Sequence, residues 1–428
     1  MQLCMRRLLP FVNSLIFISL LSGCTSNFKK NDLIYSDSDV IGMPYQKADQ
    51  INIDVYVDAT TSMEGFAVNN SSKYSQFLDQ IEAVSQSAWK KADIKFFKFG
   101  KTIKPIDRTQ FLQAKNELSF YRERGVFETT YIDSVIKSTD SKRLSVVITD
   151  LFQSEGDVNN MVNKIKEKCF ANNMVVGILG IKTDFKGTIY DVPGLPPYSL
   201  QSTERPFYAI AFGNNSNLEF LFDALKTQPF INDDQVLLFT RNIVQSFKVS
   251  VIKNKDSKFG NKKTVSADIH NLFDFSMNEK AKEARFDFEL NLTSRKRTAD
   301  FSEKAIEIFA FKKSSTDSKS VSKDSVPSSD LSLENIKRTG GKITGTLVLS
   351  NSDPIGNYSY IVYLKLNELS GMVTPKWIKD FSTDAPVPKT ATESKTLNLD
   401  KLSSTLLVAN ASIAPTYIAK FYLNIFKR

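Results

Sequence analysis

Apolar residues in this chain follow two rhythms, and the change between them falls near residue 229. From about residue 50 to 228, short apolar runs alternate with segments whose apolar residues recur three and four apart. Ile51-Asn52-Ile53-Asp54-Val55-Tyr56-Val57 predicts a first strand, after which Tyr74, Phe77, Leu78, Ile81 and Val84 mark one face of a helix. Further strands are predicted at 94–99, 144–148, 175–181 and 207–212. Val158, Met161, Val162, Ile165 and Cys169 form a second helical stripe, and Leu218, Leu221, Phe222 and Leu225 a third. Ser216 and Glu219 are spaced as a capping box at the start of that last helix. Residues 187–206 hold Pro193, Pro196, Pro197 and Pro206, and read as a long surface insertion. Strands alternating with helices predict an α/β fold: a doubly wound, mostly parallel sheet with helices on both faces.

After residue 229 the period becomes two. Phe286, Phe288, Leu290 and Leu292 alternate with polar neighbours, as do Tyr358, Tyr360, Val362, Leu364 and Leu366, and Tyr417, Ala419, Phe421, Leu423 and Ile425. Eight or nine antiparallel strands in a β-rich, sandwich-like region (229–428) are expected. Residues 312–330 are rich in Ser, Lys and Asp and poor in apolar residues, which reads as a disordered insertion.

The amino terminus has a different origin. Arg6 and Arg7 precede the apolar run Leu15-Ile16-Phe17-Ile18-Ser19-Leu20-Leu21, which is much shorter than the roughly 20 residues of a membrane-spanning helix. Leu21-Ser22-Gly23-Cys24 resembles the bacterial lipobox. That resemblance implies a signal peptide over residues 1–23 and lipid on Cys24, with anchoring to a membrane through the acyl chains. Thr25 stands where an Asp would imply inner-membrane retention, so an outer-membrane, periplasm-facing location in the cell envelope is expected. Residues 24–48 are polar and aperiodic and read as a flexible tether.

Loss of Cys4 and lipidation of Cys24 leave Cys169 alone, so no internal disulfide can form. Its place on an apolar helix face predicts a buried structural thiol. The net charge of +9 falls to +7 without Arg6 and Arg7, and no single basic block carries it. An exported chain without a nucleic-acid motif is not expected to bind nucleic acid. With 41% hydrophobic residues, 32 of them Phe, two cores can be filled.

The candidate chemistry lies at strand ends. Asp58-Ala59-Thr60-Thr61-Ser62 closes the first strand, Thr130 opens a later helix, and Asp150 closes the strand ending Val147-Ile148-Thr149-Asp150. Loops at the carboxyl ends of parallel strands converge on one edge. Two carboxylates and three hydroxyls there make an all-oxygen set, suited to a hard divalent cation. A cation ringed by hydroxyls and water stays electron-poor and favours one more anionic ligand.

Asp58-Ala59-Thr60-Thr61-Ser62 resembles the Asp-x-Ser-x-Ser signature of the von Willebrand factor A (vWA) domain family, with Thr60 where Ser is usual. Thr130 and Asp150 match the family's later Thr and strand-end Asp, over a resemblance spanning roughly residues 49–228. It implies a metal-ion-dependent adhesion site of Asp58, Thr60, Ser62, Thr130 and Asp150, holding Mg (or Mn or Ca). It implies a non-enzymatic protein that binds a protein partner offering an acidic side chain. Thr129 is the alternative to Thr130 if the register slips by one.

Competing readings remain open at this point. Asp58 and Ser62 are also the residue types that cap a helix. The set could stabilise loops in an envelope scaffold with a structural or absent metal. A Mg-dependent phosphatase-type hydrolase would use Asp58 as nucleophile, but Thr60 stands where such a site needs a second acid. His270 is the single histidine and is expected at the surface or in a hydrogen-bonded core position. Trp89 and Trp377 are expected to pack.

Overall fold

Asp58 ends a nine-residue strand that is buried from its fourth residue onward, because both faces of its sheet are covered. The computed structural model describes residues 41–42, 46–67, 69–123, 129–151, 158–190, 196–199, 203–254, 271–315, 326–350, 352–367, 371–383 and 394–428. The expected signal peptide, Cys24 and His270 lie outside the described residues. Among the described residues, no helix is long and apolar enough to cross a membrane.

The first layer is α/β. Its strands are β1 (Gln50–Asp58), β2 (Lys91–Phe99), β3 (Ile103–Ile106), β4 (Arg143–Thr149) and β5 (Val175–Phe185), then β8 (Thr203–Gly213) and β9 (Val236–Phe239). A small hairpin of β6 (Thr188–Ile189) and β7 (Tyr198–Ser199) lies between β5 and β8. The sheet order is β3-β2-β1-β4-β8-β5-β9. One face is covered by α1 (Lys73–Ser87), α2 (Arg108–Gln113) and α5 (Asn215–Leu225), which pack Phe77, Ile81, Phe111, Leu221 and Phe222 onto Val55, Val57 and Ile148. Helices α3 (Ile132–Ser138) and α4 (Val158–Lys168) cover the other, where Ile136, Val162 and Ile165 join Tyr56, Val147 and Ile178.

The sheet is mixed rather than mostly parallel. Only β1–β2 and β1–β4 pair in parallel, whereas β8 runs antiparallel between β4 and β5, and β3 and β9 are antiparallel edges. The cause is local. No helix occurs in the described chain between β5 and β8, and parallel neighbours need a crossover. The two strands therefore pair as a long hairpin over eleven positions, from Val175 opposite Gly213 to Phe185 opposite Thr203. The expected insertion thus begins in a two-residue strand and ends inside β8. The expected capping box also differs: Asn214 caps α5, its side chain accepting from the Ser216 N–H.

The boundary at residue 229 does not divide the packing. β9 completes the first sheet, and α6 (Lys376–Phe381) and α7 (Leu399–Ala411) return to its second face. Trp377, Ile378, Phe381, Leu402 and Leu406 belong to the same apolar cluster as α4. The remaining chain forms two sheets around one core. One is β10 (Val244–Asn254), β12 (Glu283–Ser294), β17 (Lys342–Ser350) and β16 (Leu331–Thr339), in that order. The other orders β11 (Leu272–Met277), β22 (Thr416–Lys427), β18 (Gly356–Leu366), β14 (Ile306–Ser315) and β15 (Val326–Ser328). Phe288 meets Phe421 across the sheets, and Phe275 meets Phe286. Nine strands fit the expected eight or nine, although β11 and β22 are parallel. Two-residue strands β13 (Asp300–Phe301) with β19 (Met372–Val373), and β20 (Ser382–Thr383) with β21 (Thr396–Leu397), complete the set. The expected disordered insertion is strand at both flanks, since β14 takes residues 312–315 and β15 takes 326–328; residues 316–325 lie outside the described residues.

Candidate metal centre at the strand ends

The parallel register sets Val57 beside Ile148, which carries Asp58 and Thr149 to adjacent positions at the end of the sheet. Two loops are then tied to the end of β2. The Ala59 N–H donates to Phe99 O (2.8 Å) and the Tyr131 N–H to Gly100 O (3.2 Å). These bonds bring the segment before α3 against the segment after β1, so residues some 70 apart in sequence meet.

Asp58 is fully buried. Its Oδ1 accepts from the Thr60 N–H (3.1 Å) and the Thr60 hydroxyl (2.7 Å), and its Oδ2 from Thr130 Oγ1 (3.2 Å) and Thr149 Oγ1 (2.8 Å). Thr60 Oγ1 also lies 3.0 Å from Thr130 Oγ1 and 3.2 Å from Ser62 Oγ. Of the five predicted ligands, Asp58, Thr60, Ser62 and Thr130 thus form one hydrogen-bonded cluster. Asp150 follows Thr149 directly and is buried at the same strand end. The register is that of Thr130, not Thr129.

The caps expected as an alternative, from Asp58 and Ser62, do not form: the backbone N–H that Asp58 accepts from is that of Thr60, ahead of the turn, and α1 is capped by Ser72. Thr60 occupies the cap position of the 3-10 turn Thr61–Phe66 and its side chain makes no capping bond. The α3 cap position is Tyr131, also without a capping bond, so the Thr130 hydroxyl serves Asp58 instead.

Burial pushes the Asp58 carboxyl above its ordinary range, and the hydroxyls of Thr60, Thr149 and Thr130 recover part of that shift. Its partners are all neutral. The contrast with the other buried acids is direct: Asp54 pairs with Arg143 at 2.8 Å and Glu82 with Arg108 at 2.5 Å. Burial also drives the hydroxyl of Tyr74 upward, with the negative charges of Asp58 and Asp150 adding to it. Tyr74 bonds Tyr121 (2.8 Å), whose hydroxyl donates to Ala114 O.

An octahedral ion with bonds near 2.0–2.1 Å places neighbouring oxygens about 3 Å apart. The Thr60–Thr130 and Thr60–Ser62 separations have that spacing. The hydroxyls of Thr60 and Thr130 are both within reach to donate to Asp58, and in that arrangement their oxygen lone pairs are left for a cation. The donor set fits a small hard ion on these grounds. Among the described residues there is no cluster of three or more His, Cys, Asp or Glu side chains arranged to hold a metal, and the candidate set consists of two carboxylates and three hydroxyls.

The surrounding loops are braced. Gly65 sits against Phe185, and a Cβ there would lie 2.3 Å from the ring, so the turn after Ser62 requires glycine. The Lys186 N–H donates to Gly65 O at 2.9 Å. Leu151, just after Asp150, adopts φ +62°, a left-handed conformation costing about 1–3 kcal/mol in a non-glycine residue. Glu64 pairs with Arg122 rather than facing the cluster.

Sequence reasoning missed Thr149, Tyr74, Tyr121 and Gly65. Thr149 left a signal, as a hydroxyl directly after the apolar run Val146-Val147-Ile148 at the end of a strand. Cys169 is buried beside Thr139 (3.9 Å), its thiol pushed up to about 11 by burial, as a structural thiol should be. Trp89 and Trp377 are buried. In comparisons with known proteins, no family model, no curated protein and no solved structure matches this chain.

Proposed function

We propose that the strand-end cluster binds a divalent cation, Mg or Mn foremost, through Asp58, Thr60, Ser62, Thr130 and Asp150. The cation then recruits an acidic side chain of a protein partner, in a vWA-like domain of a lipid-anchored envelope protein. The chain acts as a binding protein rather than an enzyme. The observation that carries this reading is the buried Asp58 carboxylate held by neutral donors alone, where the other buried acids with described partners have an arginine. A positive ion supplies the charge compensation that the side chains do not. The finer topology, a vWA-like doubly wound sheet, belongs to the same proposal, with the β5–β8 hairpin as a departure from it. So does the anchor, lipid on Cys24 facing the periplasm.

A second reading has its own support. Asp58, Thr60, Ser62, Thr130 and Asp150 are all at most 7% exposed, so a cation there could clamp three loops without meeting a partner. A pulldown from envelope extract separates the two. In the adhesion reading, capture by wild type depends on Mg²⁺, ends on chelation and is lost in Asp58→Ala. In the clamp reading, metal raises the melting temperature but capture survives chelation.

A further inference from the structure

The first strand pair leaves half of one edge open. β2 bonds β1 along its whole length, with Gln50 opposite Lys91 and Asp58 opposite Phe99, but β3 pairs only with Phe96 to Phe99. After Ile106 the chain turns away into α2, whose start is fixed by the capping box of Asp107 and Gln110. The Lys91 N–H donates to Asp49 O on the β1 side, so by strand alternation the backbone groups of Ala92 and Ile94 point to the open edge. Among the described residues, nothing pairs with them.

A groove of about 750 Å³ runs along this edge, lined by Ala92, Ile94, Phe96, Ile106, Glu82 and Arg108. It lies where a continuation of β3 would lie. Its apolar floor is the face on which Ala92 and Ile94 pack against the core, and on the opposite face of β2 the side chains of Lys91, Asp93 and Lys95 are exposed. The open edge spans Lys91 to Lys95, opposite Gln50 to Asp54, and so lies four to eight residues, roughly 13–26 Å at about 3.3 Å per residue, from Asp58. It is therefore separate from the cation cluster.

The charge order selects the occupant. Two copies paired edge to edge about Asp93, the register that uses the whole open stretch, would set Lys91 opposite Lys95 and Asp93 opposite Asp93, and like charges directly opposite repel. We propose that this edge adds an extended segment of a partner protein whose side chains alternate acidic, apolar, basic, apolar, acidic. Its backbone bonds Ala92 and Ile94, its apolar residues enter the groove, and its acids face Lys91 and Lys95 while its base faces Asp93. The pattern is symmetric, so either strand direction satisfies it.

The test uses the full chain in chelator, so that failure of the cation site has no bearing on it. A labelled peptide centred on Glu-Val-Lys-Val-Glu and its charge-reversed counterpart, Lys-Val-Glu-Val-Lys, are titrated by fluorescence anisotropy. Wild type should prefer the first by about tenfold, as three cross-strand charge pairs change sign between the peptides. Lys91→Glu with Lys95→Glu, both exposed, should invert the preference. Ile94→Pro removes an N–H that the β1 ladder does not use and should abolish binding with the circular dichroism unchanged. Equal binding of the two peptides, no binding at millimolar peptide, or undiminished binding by Ile94→Pro overturns the proposal. A concentration-dependent dimer that Ile94→Pro dissociates would make the occupant a second copy and overturn it equally.

Discussion

The α/β layer and the β sandwich both bury polar groups, but they balance them differently. In the sandwich, Ser359 donates to Asn424 (2.9 Å), whose amide donates to the half-buried Asp274 (2.8 Å). Its charged cluster has cations built in, with Lys312 between Asp330 and Asp353. Asp223 and Asp233 of the α/β layer are likewise paired with a cation, Arg297, supplied by the chain between β12 and β13. Asp58 departs from that pattern, gathering threonine hydroxyls from three segments and no cation. The buried acids Asp54 and Glu82 each have an arginine, whereas Asp58 has hydroxyls, and the proposed cation site rests on that contrast.

The sharpest way to break this comparison is to damage the sandwich and look for an effect at the strand end. Phe288→Ala removes a ring packed on Phe421 and should cost about 3–5 kcal/mol by urea unfolding. Metal affinity of the folded protein should not change. If it does, the two regions are coupled and the contrast fails. Next in size is Gly65→Ala, which forces a methyl into Phe185 beside the cluster. About 1–3 kcal/mol should be lost, here together with metal affinity. Thr149→Val keeps the shape and deletes one donor to Asp58, for about 1 kcal/mol in unfolding measurements.

The smallest effect is in pH. Asp58 holds its proton more tightly folded than unfolded, so its contribution favours the fold below the ordinary aspartate value of about 3.9. That contribution is lost as pH rises through the raised folded value. The melting temperature of chelated wild type should therefore fall relative to Asp58→Asn on going from pH 4 to 7. Saturating Mg²⁺ should remove the difference, and a difference that persists in metal would place the compensation elsewhere.

Much of the layer bearing the cluster was legible in the sequence. The positions of β1, β2, β4, α1 and α4 followed from apolar period, and the convergence of Asp58, Thr60, Ser62 and Thr130 followed from strand-end placement. What failed was pairing. Period alone does not say whether β8 follows β5 by a crossover or a hairpin, although the missing helical stripe between them was a usable sign. The helix carrying Leu399, Leu402, Leu406 and Leu407 has helical spacing, but it is embedded among strands of period two. Its partner face belongs to α4, more than two hundred residues earlier, so no local pattern announces where it docks. Thr149 was passed over because its role depends on the β1–β4 register, a tertiary fact.

The most direct measurement is calorimetric titration of the purified chain with Mg²⁺ and Mn²⁺, beside Asp58→Ala and Thr130→Val. Wild type should bind one ion, Asp58→Ala none, and Thr130→Val more weakly with its fold intact. Absence of heat and of any melting shift at millimolar metal in the wild type would contradict the cation site, and Asp58 would then be a carboxylate held by hydroxyls alone.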